Sequence, residues 1–186
     1  LVKRTLAMSN QYFNGKVKNY NVADSMDEDL KAVVTNARDK VFNKLDEYRA
    51  AEALEELWAL FRRANKYIDE TEPWNLNKDE SKKDRLATVL YNLTETISIG
   101  LSLMQPFMPD TCQKAIEMFG LNLRSFEQTK TFGLIEKTIV TKTPEILFAR
   151  LDAAKVMEKV NAMIEQRQGT TEVKKEEPKK EEPKKE

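Results

Sequence analysis

The residue of this chain best placed to bind a flat ligand is Trp74, which follows a proline at the end of a predicted helix. Its polar neighbours are Glu72 before the proline and Asn75 and Asn77 after it. An aromatic ring beyond a helix end either folds back onto a core or stays exposed as a platform for another ring, such as a nucleobase. The position of Trp74 alone leaves both interpretations open.

Basic residues flank Trp74 on both sides, and acidic residues nearly balance them, so the plainest interpretation of this segment is a solvated face. If Trp74 does meet a base, stacking contributes about 1–3 kcal/mol. Selectivity then needs hydrogen bonds to base edges, which suit Arg and Asn and which unpaired loop bases expose. Under that interpretation the partner is a single-stranded RNA loop. The basic residues are Arg62, Arg63, Lys66, Lys78, Lys82, Lys83 and Arg85.

The sequence offers little for catalysis. It contains no histidine, and histidine is the commonest general base and metal ligand. The carboxylates are scattered along predicted helix faces, and no pair of them has a catalytic pattern. We therefore predict no enzymatic activity for this chain by itself, no metal site and no cofactor.

The composition is typical of a helical domain that is soluble. Of 186 residues, 40% are hydrophobic and 33% charged, and only 5 are glycine and 6 proline, too few for a many-stranded sheet. The 31 basic and 31 acidic residues cancel, so RNA binding would require a local basic face. Cys112 is the single cysteine, which excludes an internal disulfide and fits the cytoplasm. The apolar run at 97–104 is too short to span a bilayer.

Hydrophobic periodicity predicts an all-α bundle of about five helices. Helices are predicted over 1–13, from the Ser25 region to about 48, from there to just before Pro73, from Asn77 to 104, over 110–119 and over 150–167. Capping boxes are predicted at Ser25 with Glu28 and at Asn77 with Glu80. A weak alternation at 138–143 predicts one short strand, and 16–26 is predicted as a polar connection.

Two further expectations concern packing and domain limits. Trp58 lies on the apolar stripe of its helix and is predicted to be in the core, whereas Gly100 is expected to allow close approach of a neighbouring helix. Residues 1–167 are predicted to form one helical domain. Residues 168–186, with their repeated Lys-Lys-Glu-Glu-Pro sequence, are predicted to be a disordered charged linker or tail.

Four sequence motifs in register resemble the anticodon-binding domain of bacterial methionyl-tRNA synthetase, a class I aminoacyl-tRNA synthetase. They are the first-helix motif Leu1-Val2-Lys3-Arg4-Thr5-Leu6-Ala7-Met8 followed by Tyr12-Phe13-Asn14-Gly15, then Ala64-Asn65-Lys66-Tyr67-Ile68-Asp69-Glu70-Thr71-Glu72-Pro73-Trp74, Pro106-Phe107-Met108-Pro109 and Leu147-Phe148-Ala149-Arg150-Leu151-Asp152. The resemblance covers about residues 1–155. Because the catalytic signatures of that family are absent, it implies a fragment that lacks the catalytic domain.

The resemblance also implies roles for individual residues. Trp74 is similar to the tryptophan that stacks on an anticodon base, and Arg4 to the arginine that reads base edges. An asparagine four residues earlier in the family would precede Leu1, and Lys3 stands where the family often has Asn or Ser. Lys3, Lys78 and Lys82 are candidate contacts to the RNA backbone.

The implied partners are methionine tRNA with its CAU anticodon, the catalytic domain of the same enzyme and a C-terminal OB-fold domain. ATP is the implied substrate of the parent enzyme, a methionine–tRNA ligase, and this chain itself needs no cofactor. The alternative is a helical scaffold or protein-interaction domain with Trp74 in its core and no RNA binding of its own.

Overall fold

The structure is a computed structural model that describes residues 1–172. Six helices of ten or more residues lie in this part of the chain, together with a two-stranded sheet, so the predicted helical bundle is confirmed. The elements are α1 (Val2–Phe13), β1 (Lys16–Lys18), α2 (Ser25–Asp46), α3 (Ala50–Thr71), α4 (Pro73–Leu76), α5 (Lys83–Met104), α6 (Pro109–Met118), β2 (Lys137–Ile139) and α7 (Ala153–Glu172).

The chain divides by its internal contacts into two units, Leu1–Leu147 and Phe148–Glu186. The first contains α1 to α6 and both strands, and the described part of the second contains α7. Helix α7 continues to Glu172, past the predicted helix end at 167. The rest of the tail that was predicted to be disordered, 173–186, lies outside the described residues.

Helix α5 is the centre of the first unit. Every residue from Leu86 to Met104 is buried, which includes the whole predicted apolar stripe of this helix. Helices α1, α2, α3, α4 and α6 and strand β1 all contact it. The segment Glu80–Met104 has the length and apolar composition of a membrane span, but its apolar window is completely buried inside the structure. A helix that is apolar all round and enclosed in this way is a core helix.

Both predicted capping boxes are wrong, because the residue that caps each helix is a neighbour of the predicted one. At α2 the cap is Asp24, whose side chain accepts from the backbone N–H of Met26, while Asp27 accepts from the backbone N–H of Asp24. Before α5, Asp79 accepts from the backbone N–H of Ser81 at 3.0 Å and starts a 3-10 turn over Glu80–Lys82. Aspartate caps a helix as well as serine or asparagine does, so neighbouring candidates cannot be separated by residue type alone.

The sheet pairs two segments that are far apart in the sequence. Strand β2 is antiparallel to β1, with Val17 opposite Thr138. Strand β2 lies at the start of the predicted strand region, whereas β1 falls in the predicted polar connection, so that part of the prediction is wrong. Strand β1 has one buried residue, Val17, between two exposed lysines, which is too little for a recognisable alternation.

The buried carboxylate of Asp27 joins α2, α3 and α5. Arg85 of α5 donates to its two oxygens at 2.7 and 2.8 Å, and the Tyr67 hydroxyl of α3 donates at 2.5 Å. Asn92 of α5 in turn donates to the Tyr67 oxygen at 3.2 Å. Asp27 is fully buried and the Arg85 side chain nearly so. A buried ion pair of this kind is tolerable because hydrogen bonds satisfy the remaining lone pairs.

The ionisation of this cluster follows from the same contacts. Burial raises the pKa of Asp27, but hydrogen bonds from Arg85 and Tyr67, with the positive charge of Arg85, outweigh it and hold the pKa below its usual value. Burial and the hydrogen bond to Asp27 raise the pKa of Tyr67. Asp27 is therefore ionised and Tyr67 neutral near pH 7.

A second buried carboxylate, Glu95, fixes the irregular segment after α6. It accepts from Arg124 at 2.7 Å and from the backbone N–H groups of Gly133 and Ile135 at 2.9 and 2.6 Å. The Tyr91 hydroxyl also donates to it, at 3.2 Å. These bonds hold a segment with little secondary structure against α5. They also give the buried polar groups the hydrogen-bond partners that such groups need.

We predict that Asp27→Asn lowers the free energy of unfolding by about 3–5 kcal/mol, because it leaves the Arg85 charge buried without a partner. The loss should also depend on pH. Since the folded pKa of Asp27 is lowered, its contribution is complete above the unfolded value of about 3.9 and disappears as the pH falls through the folded value. Urea unfolding from pH 7 to pH 2 measures both effects.

Asp29→Asn is the matched control for that experiment, because Asp29 is exposed on the same helix. It should unfold like the wild type at every pH. The assignment is contradicted if the stability difference between wild type and Asp27→Asn is the same at pH 2 as at pH 7.

Gly100 confirms the predicted close helix approach. A Cβ atom at this position would lie 2.6 Å from Cε1 of Phe61 on α3. Gly100→Ala should therefore lower stability by about 1 kcal/mol, since overpacking costs about 1–3 kcal/mol against a helix-propensity gain of about 1. Thermal or urea unfolding measures this. A Phe61→Leu background removes the two closest contacts and leaves only Cδ2 of Leu60 at 3.1 Å, so the cost of Gly100→Ala should be smaller there.

Candidate nucleic-acid interface

The end of α3 sets the position of Trp74. Helix α3 ends at Thr71, before Pro73 as predicted, and Glu72 has the left-handed backbone angles φ 43° and ψ 62°. Proline at the first position of a helix is favourable because its ring presets φ, and α4 starts at Pro73. Trp74 therefore follows the end of α3, as predicted, and lies in a separate single helical turn.

The turn that carries Trp74 is held on the bundle by its neighbours. Pro73 is buried, Leu76 is partly buried against the core, and α4 contacts α5. Trp74 itself is 40% exposed. Trp74 is thus an exposed residue on a turn that is anchored to the bundle, which favours the platform interpretation over the core interpretation.

Arg4 lies at the same end of the bundle. Its Nη2 atom is 3.2 Å from Oδ1 of Asp69 in the last turn of α3, and the two side chains are 47% and 67% exposed. Asp69 precedes Trp74 by five residues, so their Cα atoms are at most about 18 Å apart. A surface ion pair contributes only about 0–1 kcal/mol, and one contact leaves most of the guanidinium donors free.

The three lysines predicted to contact an RNA backbone are all exposed. Lys3 is next to Arg4, Lys78 follows α4, and Lys82 lies 3.6 Å from Asp79 in the turn before α5. Hydrogen bonds from the hydroxyl and backbone N–H of Ser81 lower the pKa of Asp79, so that carboxylate stays ionised beside Lys82. The role of these lysines remains a prediction.

A chain of side-chain hydrogen bonds runs along the turn that carries Trp74. Asn75 donates from Nδ2 to Oε2 of Glu72 at 2.8 Å, and Lys78 donates from Nζ to Oδ1 of Asn75 at 2.8 Å. The sequence analysis noted Asn75 only as a polar neighbour. Its i, i+3 spacing to Glu72 and Lys78 was the available signal, because such residues adjoin on a helical turn.

Charges around this site are largely paired. Glu70 lies 2.9 Å from Arg63 and 3.4 Å from Lys66, and Asp69 holds Arg4. These pairings leave little net charge at this part of the surface, so any ligand bound here would depend on specific contacts.

A family model described as the anticodon-binding domain of tRNA ligase matches residues 27–183. The chain belongs to this family. The match includes Trp74 and the turn that carries it, while Arg4 lies before it.

Relatives point to one branch of the tRNA ligases. The methionine–tRNA ligase of Caldanaerobacter subterraneus subsp. tengcongensis is 43% identical over 178 residues, which is 95% of this chain and 27% of that protein. The methionine–tRNA ligase of Bacillus subtilis is 36% identical over 183 residues, or 96% of this chain and 27% of that protein. The chain thus spans about a quarter of the length of these relatives.

Solved structures agree. Apo Mycobacterium tuberculosis methionyl-tRNA synthetase has a TM-score of 0.74 and 29% identity, covering 81% of this chain and 31% of that one. The same enzyme with methionyl-adenylate has a TM-score of 0.73 and 28% identity, covering 80% and 30%. The predicted resemblance to an anticodon-binding domain of methionyl-tRNA synthetase is confirmed.

Trp58 of this anticodon-binding domain is not in the core, so that prediction is wrong. It is 44% exposed, slightly more than Trp74, and its ring lies 5.8 Å from that of Phe61. Phe61 takes the inner position because Gly100 leaves room for its ring against α5. Trp58 therefore covers the outer side of Phe61 instead of filling the core.

The domain holds few candidates for a cofactor or metal. Residues 1–172 contain no group of three or more Cys, Asp or Glu that could bind a metal. A pocket of about 310 Å³ lies beside Ser98, Arg124 and Ile135. The guanidinium of Arg124 already donates to Glu95, Ser98 and the carbonyl of Thr131. Its charge is therefore paired with the Glu95 carboxylate and is not available to an anionic ligand.

We predict that both tryptophans are reachable by acrylamide, because their exposed fractions are similar. In the single-tryptophan variants Trp58→Phe and Trp74→Phe, the remaining ring should be quenched in the folded protein with comparable Stern–Volmer constants. The unfolded protein gives the upper limit. Strong protection of the ring that remains in Trp58→Phe would show that Trp74 is buried and would contradict the platform.

Proposed function

We propose that this domain binds the anticodon loop of methionine tRNA and reads its CAU anticodon as part of a methionine–tRNA ligase. The observation that carries the proposal is the outward ring of Trp74 on a turn anchored by Pro73, with Arg4 held by Asp69 at the same end of the bundle. The similarity to methionine–tRNA ligases supplies the choice of tRNA.

Each group has a physical task in this proposal. Stacking on Trp74 supplies about 1–3 kcal/mol without regard to sequence. Arg4 adds selectivity, because its free N–H donors can face the acceptors on the edge of an unpaired base. Lys3, Lys78 and Lys82 contact phosphates as exposed point charges. Because nearby acidic groups pair with most other cations, we expect only a modest dependence of affinity on salt.

The proposal extends to the protein to which this domain belongs. We propose that a catalytic domain of the same chain uses ATP to attach methionine, and that a C-terminal OB-fold domain adds further tRNA contacts. We also propose a cytoplasmic location, which the single buried Cys112 and the burial of the apolar α5 segment support. This domain contributes tRNA recognition and no catalytic group.

The test is binding of this chain to an anticodon stem-loop with CAU, compared with loops in which one anticodon base is changed. Trp74→Ala should weaken binding of the CAU loop by about tenfold or more, from the lost stacking energy. Arg4→Ala should weaken it as well and reduce the discrimination between loops. Fluorescence anisotropy of labelled RNA measures both.

Trp58→Ala is the matched control, since Trp58 is equally exposed but lies about 20 Å along α3 from Thr71. It should bind the CAU loop like the wild type, and circular dichroism checks that all variants are folded. Equal affinity of the wild type for every loop would contradict base reading. Unchanged binding by Trp74→Ala would favour the alternative of a scaffold or protein-interaction domain.

A further inference from the structure

Asn75, the residue after Trp74, has a side-chain amide whose orientation is fixed from both ends. Its Nδ2 donates to the Glu72 carboxylate and its Oδ1 accepts from the Lys78 ammonium, each at 2.8 Å. A flip of the amide would place its N–H groups against the ammonium and its oxygen against the carboxylate. Both contacts would become repulsive, so the two neighbours select one orientation.

Those two bonds use half of what the amide can offer. A side-chain amide has two N–H donors and an oxygen with two lone pairs. One donor and one acceptor therefore remain on this exposed residue. Adenine presents the complementary pair, its N6 amine beside a ring-nitrogen acceptor, and asparagine is a residue that binds it through two hydrogen bonds.

The position of Asn75 relative to Trp74 decides which base it can meet. If one of three anticodon bases stacks on Trp74, the central base is either that base or its direct neighbour. In CAU the central base is adenine. Consecutive Cα atoms are 3.8 Å apart, so Asn75 is the chain neighbour of the ring on which a base would stack.

We propose that Asn75 is a specificity-determining residue that hydrogen-bonds the edge of the central adenine of the anticodon, with Glu72 and Lys78 as its positioning residues. This inference rests on the proposed function and adds a second base-reading side chain to Arg4. Trp74 then supplies affinity that is indifferent to sequence, and Asn75 supplies the choice of base.

The experiment compares the CAU stem-loop with the same stem-loop carrying purine riboside at the central position, which lacks only the N6 amine. The wild type should bind the adenine loop about tenfold tighter, because the purine loop keeps the ring-nitrogen acceptor but lacks the N6 donor for the Asn75 oxygen. Asn75→Ala should bind both loops alike, with an affinity no higher than that of the wild type for the purine loop. Anisotropy titrations of the full 186-residue chain give all four affinities.

Asn77→Ala is the matched control, since Asn77 carries the same amide two residues further along and is less exposed. It should keep the full preference for adenine. The inference is overturned if Asn75→Ala retains that preference, or if it weakens both loops equally. If Trp74→Ala also leaves every loop unaffected, the proposed function itself fails; if Trp74→Ala weakens binding while Asn75→Ala does not, only the role of Asn75 fails.

Discussion

The carboxylate of Asp27 is the constraint on which the arrangement of the bundle depends. It is fully buried, and it meets one partner from each of the two helices that pack against α2, Tyr67 from α3 and Arg85 from α5. Apolar side chains can slide past each other at small cost, whereas a buried charge tolerates little displacement from its hydrogen-bond partners. Hydrophobic burial thus drives α2, α3 and α5 together, and this ion pair fixes their relative positions.

The same logic acts further along the core helix, near its middle. Glu95 on α5 binds Arg124 and two backbone N–H groups of the irregular segment that leads to β2. Without regular secondary structure, that segment has no internal partners for these groups, and leaving them buried and unpaired would cost about 1–3 kcal/mol each. Helix α5 therefore takes part in both the helical packing and the loop, through Arg85, which binds the Asp27 carboxylate of α2, and through its own Glu95.

Sequence periodicity predicted what depends on local pattern and missed what depends on tertiary contact. The apolar stripe of α5, the end of α3 before Pro73 and the notch at Gly100 follow from helical spacing or from backbone chemistry. Strand β1 exists because β2 comes to it across more than a hundred residues. The α2 cap pairs Asp24 with Asp27, and Asp27 is also the residue that binds Arg85 and Tyr67 of other helices. The prediction that Trp58 is buried in the core failed for a similar reason. The burial of a side chain on the apolar stripe of a helix depends on how much room the facing helix leaves for it.

The proposed recognition site inherits its position from the buried cluster. Tyr67, fixed by Asp27, lies one turn before Thr71, whose hydroxyl donates to the Tyr67 carbonyl at 2.7 Å. Arg63 reinforces the same stretch, since it donates to Glu70 and to the carbonyl of Met26 on α2. Beyond Thr71 the chain turns sharply at Glu72 and immediately presents Trp74. The last two turns of α3 therefore join the ion pair in the core to the exposed ring, and no flexible linker intervenes. A platform that is ordered before the ligand arrives loses less conformational entropy on binding, which matters here because the paired surface charges offer little general attraction for RNA.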